Sequence, residues 1–169
     1  MADMHVVRRG TPPPPPWGDD IPYYWEGEEN ESVTGGWELH FSEGTFDFQK
    51  NIDNIFVAQN SPSSGTHRAQ CGIGNKIDLT NVNTIRMLCD IEKDPPTNFA
   101  LGVIENKSTR ADHGVASTQF LDAESKVDFE VSVDVSGVNG EYYIGVLVAA
   151  GGGTGYRSEG KIKKVWGEV

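Results

Sequence analysis

The chain has 169 residues, 37% of them hydrophobic, and its 25 acidic against 14 basic residues give a formal net charge of −11. That length suits one domain of ordinary size plus a tail. The charge excludes a nucleic-acid binder, which needs clustered Lys and Arg, and no segment approaches the ~18 apolar residues of a membrane span.

The first element in chain order is an arm, residues 1–32. Its opening, "MADMHVVRRG", lacks the apolar stretch of a secretory signal, which predicts a protein made and kept in a cytoplasm. Five prolines follow: Pro12, Pro13, Pro14, Pro15 and Pro16. Each fixes its own φ, lacks an N–H and drives the residue before it out of the helical region. The run is therefore expected to be an extended polyproline II rod, rising about 3.1 Å per residue. Trp17, Tyr23, Tyr24 and Trp25 follow it, the residue types that dominate interface energetics. A rod that is already extended loses little entropy on binding. Arg8, Arg9, the five prolines and these four aromatics are accordingly read as the grip of an anchoring arm on a partner subunit. The acidic "EGEENES" closes the arm.

From residue 33 to 169 the pattern is that of strands separated by turns. "WELHF" alternates, with Trp37, Leu39 and Phe41 on one side. "TIRMLCDIE" places Ile85, Met87, Cys89 and Ile91 together, and "KVDFEVSVDVS" does the same for Val127, Phe129, Val131, Val133 and Val135. In the last run Asp128, Glu130, Ser132 and Asp134 take the other face. Period 2 of this kind predicts half-buried strands. "EYYIGVLVAA" is apolar on both faces and predicts a central strand covered on both sides. Further strands are expected at Phe46–Phe48, Ile55–Ala58, Lys76–Leu79, Phe99–Ile104, Ala116–Leu121 and Lys161–Trp166. Turn chemistry falls between them in "NSPSSG", "KDPPTN", "VNG" and "GGGTG". No window has helical periodicity. The chain is thus read as all-β, a two-sheet antiparallel jelly-roll sandwich at 33–169 preceded by an extended Pro-rich arm. Trp37 and Trp166 are expected in its core.

The residues offer no catalytic set, metal centre or cofactor site. "GYRSEGK" has the glycine and lysine spacing of a phosphate-binding loop, but Ile162 stands where that loop needs Ser or Thr, and a strand follows instead of a helix. "SGTHRAQCG" reads as a loop running into a strand, so His67 and Cys71 lack the helical spacing of metal ligands. Asp122, Glu124 and Asp128 lie close enough in sequence to contribute to a calcium site, but ordinary loop acids explain them equally well, and His40 and His113 are read as exposed. Cys71 and Cys89 are not expected to form a bridge. A glycan site needs exposed aromatics on one face or loop rim. Tyr143, Tyr156 and Arg157 are the candidates, since Tyr142 and Tyr143 must point to opposite faces of one strand.

The order "SVTGGWELHFSEG", "FDFQKNIDNIFVAQN", "NKIDLTNVNTIRMLCDIE", "GEYYIGVLVAAGGG" and "SEGKIKKVWGEV" resembles a jelly-roll module of structural proteins of tailed bacteriophages and prophages. Its most specific pieces are Thr34 to Trp37, Ile77 to Met87 and Tyr142 to Val146. Such modules sit in tail fibres, baseplates and other appendages and are compared with carbohydrate-binding modules. The resemblance implies a non-enzymatic virion component, present in several copies, held to other virion proteins and able to touch a host-surface glycan. The alternative is a soluble carbohydrate-binding or lectin-like domain, with no arm to dock.

Overall fold

The computed structural model describes residues 23–25, 36–61, 65–93, 97–118, 121–122, 125–151 and 154–169. The expected anchoring residues Arg8, Arg9, Pro12 to Pro16 and Trp17 lie outside these. The described strands form two antiparallel sheets. The first is ordered β11 (Lys126–Asp134), β7 (Thr84–Lys93), β13 (Arg157–Glu168), β4 (Ile55–Asn60), β3 (Phe46–Lys50). The second is ordered β10 (Leu121–Asp122), β8 (Thr97–Ile104), β12 (Glu141–Ala150), β5 (His67–Ile73), β2 (Trp37–Ser42). Short β6 (Ile77–Asp78) pairs with β12, and β9 (Ala116–Ser117) with β8. From β7 through β8, β11, β12 and β13 every long strand lies in the sheet opposite its predecessor, the connectivity of a jelly roll. Helix is confined, among the described residues, to one 3-10 turn at Ala111–His113.

Period-2 alternation builds the core between the sheets. Ile85, Met87, Cys89 and Ile91 of β7 meet Ile144, Val146 and Val148 of β12 in one buried cluster, with Trp37 sealed among them. Trp166 is also buried, but it stands opposite Arg86 and outside that cluster. Cys71 and Cys89 are free thiols, one in each sheet.

Two expected inward side chains are turned out. Val127 is 77% exposed, because the register between β11 and β7 shifts between Lys126 and Phe129. Asp128 absorbs the shift at φ 51, its N–H donating to Asp90 Oδ1 (2.9 Å) and its carboxylate accepting from Lys163 Nζ (2.7 Å). One extra residue reverses the faces on its N-terminal side. Phe41 is turned out by a similar shift between Leu39 and Phe41 and joins the outer face of the second sheet, while Leu39 keeps its place opposite Cys71 and is 44% exposed on an edge strand.

The larger difference is at the expected arm. Tyr23–Trp25 is a strand, β1, antiparallel to β13 with Tyr23 opposite Trp166 and Trp25 opposite Val165. β4 covers β13 only as far as Ile162, and β1 fills the edge beyond it. Tyr24 and Trp25 are 7% and 3% exposed and belong to the core cluster, with the Trp25 ring edge-on to Trp37 at 5.8 Å. Gly167 makes the room, since a Cβ there would collide with the Tyr24 hydroxyl. Tyr24 and Trp25, expected to insert into a partner, instead fill the core of their own domain. Their burial is worth about 4–6 kcal/mol each as an upper bound, at ~25 cal/mol per Å².

Candidate functional site

Three glycines lie in register across the middle of the second sheet, Gly72 on β5, Gly145 on β12 and Gly102 on β8. Without side chains they open a lane on the sheet's outer face. The His40 ring occupies it over Gly72, the Gln70 amide lies against Gly145, and the Ala111 carbonyl rests over Gly102, where a Cβ would collide with it. Gln70, fully buried, ties down the loop after β8. Its Nε2 donates to the carbonyls of Thr109 (3.0 Å) and Lys107 (3.4 Å), and its Oε1 accepts from the Ala111 N–H at 2.6 Å. Leu147, Ala100, Ala111 and Phe41 pack under this loop as a small second core.

At the end of the lane stands Tyr143, half-buried, on the face opposite Tyr142, which packs toward the main core. The tied loop brings Lys107 Nζ to 4.8 Å from the Tyr143 ring centroid, and Lys76 Nζ lies at 5.4 Å. Lys107 also pairs with Glu38 of β2. His40 meets the ring edge-on at 6.2 Å, with its Nδ1 3.3 Å from Gln70 Nε2. Burial pulls the His40 pKa from 6.5 to about 4, with Lys107 acting in the same direction and Glu38 against it. At neutral pH the imidazole is therefore uncharged. The result is an aromatic surface with cations, a carboxylate and a neutral imidazole around it. Such a group can stack an apolar ring face while hydrogen-bonding its edge.

The candidates Tyr156 and Arg157 are not brought to this place. Both follow the far end of β12, and Tyr143 to Ala150 alone spans about 23 Å at ~3.3 Å per residue. Arg157 is held on the first sheet, where Nε donates to Glu159 Oε2 (2.7 Å) and Nη1 to Asp47 Oδ2 (3.2 Å) and Asn60 Oδ1 (3.1 Å). The segment after Gly155 is strand β13, so no helix N-terminus stands there to receive a phosphate. His113 is exposed as expected, whereas His40 is not. His40, Gln70, Lys76 and Lys107 were not candidates from the sequence. The glycine inside the apolar run of β12 is the signal that marks a close approach there.

No protein-family model matches the sequence, and no curated protein matches it. Solved structures match its shape. The low-affinity xylan-binding module CBM86 of Roseburia intestinalis superposes with a TM-score of 0.51 at 12% identity, over 80% of this chain and 90% of that one. A structure of promiscuous carbohydrate-binding modules of the β-sandwich superfamily gives 0.54 at 13% identity, over 89% and 63%. The fold is that of a carbohydrate-binding-module jelly roll. The enzymatically active domain of bacteriophage CBA120 tailspike protein 4 shares it, with a TM-score of 0.50 at 13% identity. That match covers 79% of this chain and 19% of the tailspike domain.

Proposed function

We propose that this chain is a non-catalytic carbohydrate-binding module whose glycan lies across the outer face of the second sheet, stacked on Tyr143. The observation that carries the reading is the convergence on one tyrosine of groups from β2, the β5–β6 turn and the loop after β8, in a jelly roll of the shape glycan binders use. One stacked ring supplies on the order of 1 kcal/mol, so monovalent binding is millimolar and gains strength by repetition. Affinity electrophoresis through gels holding different soluble polysaccharides tests it. Retardation by at least one glycan, abolished by Tyr143→Ala with the far-UV spectrum unchanged, is the expected outcome. Retardation that survives the substitution would place the site elsewhere.

A second reading mounts this module on a bacteriophage particle through residues 1–22, and the proline run Pro12 to Pro16 favours it. Buried Tyr24 and Trp25 leave that role to the residues before β1. A protein beginning at residue 23 should then fold and bind glycan yet fail to join the virion in phage assembled with it. Full incorporation of the truncated protein would end this reading.

A further inference from the structure

We infer that the glycan bound at Tyr143 is anionic, its acidic substituent lying between Lys76 and Lys107. This rests on the reading of Tyr143 as the stacking platform and adds the ligand's charge. The chain as a whole carries −11, yet two ammonium groups converge on this one ring, at 4.8 and 5.4 Å from its centroid. Bringing two like charges together is unfavourable unless something negative divides them. Glu38 answers one of them, through Lys107. Lys76 is exposed, and the Tyr143 ring is its contact among the described residues. A solvated ammonium is held only weakly by an aromatic ring, so little is lost when it swings to a ligand acid. His40, with its pKa pulled down to about 4 by burial, is uncharged at neutral pH, so the charges beside the ring there are those of the two lysines and Glu38.

The geometry gives a neutral sugar less. A ring on Tyr143 has to lie where the two ammonium groups hover, and hydroxyl groups repay that displacement weakly. A carboxylate or sulfate on the ring repays it with charge-assisted hydrogen bonds, roughly twice as strong as neutral ones. Glu38 supplies a test of sign. An anionic ligand competes with Glu38 for Lys107, so Glu38→Gln tightens its binding. A neutral ligand using Glu38 as an acceptor is weakened by the same change.

The experiment is isothermal titration of the full chain with polygalacturonate as the carboxylate probe, dextran sulfate as the sulfate probe and neutral xylan as control, at low and high salt. Binding to one of the two acidic polymers, stronger than to xylan and weakened by salt, is expected. Lys76→Met and Lys107→Met should each cost about fivefold, Lys76→Arg should restore most of the loss, and Glu38→Gln should tighten binding. The acidic polymer that binds identifies the acid. Equal or stronger binding to xylan that depends on Tyr143 but not on the lysines overturns the anionic assignment and leaves the platform standing. Acidic-polymer binding indifferent to Tyr143→Ala is electrostatic adsorption and also overturns it. Silence toward both acidic polymers overturns the anionic assignment, and the platform then stands or falls with the electrophoresis on other glycans.

Discussion

The imidazole of His40 illustrates how one covered residue couples the candidate site to folding. Its pKa falls from 6.5 to about 4, chiefly through burial, while an unfolded chain would titrate near 6.5. Between those values the unfolded state binds the extra proton. The stability that neutral His40 contributes is therefore whole above about pH 6.5 and is lost as pH falls toward 4. Urea melts at pH 7 and pH 5 should show a larger loss for the natural protein than for His40→Gln. An equal loss in both would assign the proton to another group. None of this is legible in "WELHF", where alternation assigns His40 to water. What overrides that assignment is a loop distant in sequence, laid over glycines and fixed by Gln70, itself in a stretch that reads as part loop.

At the scale of the element, length of pattern separates what the sequence revealed from what it hid. β7 and most of β11 carry enough alternation to fix their buried faces. Three residues have no period, so "YYW" could be read only by residue type, and large aromatics after a proline run suggest an interface. They do make one, against β13 of the same chain. Trp25→Ala should lower the unfolding free energy by about 3–5 kcal/mol, followed by urea titration of tryptophan fluorescence. Removal of residues 1–25 should destabilise at least as much, whereas removal of residues 1–22 should not. An unshifted midpoint for Trp25→Ala would show that β1 adds nothing to the sandwich. The two register shifts share a lesson. A single extra residue at Asp128, or between Leu39 and Phe41, moves apolar side chains to the other face, and no composition rule announces it.

On the scale of the whole molecule, the fold class was readable because many short alternating runs with turn chemistry between them admit few arrangements other than two packed sheets. The site was less readable because Glu38, Lys76, Lys107 and Tyr143 belong to four separate segments that only the crossovers bring together. The pairing of Tyr23 with Trp166 has a mechanical meaning as well. It sets the start of β1 beside the end of β13, so a pull between the chain before Tyr23 and Val169 acts on the same end of that short ladder. Hydrogen bonds loaded in this way open one after another, as in a zipper, without sharing the force. The first corner to yield is the one that hides Tyr24 and Trp25. Tension between the two ends would peel β1 away and bare two aromatic rings while the crossed strands of both sheets still held.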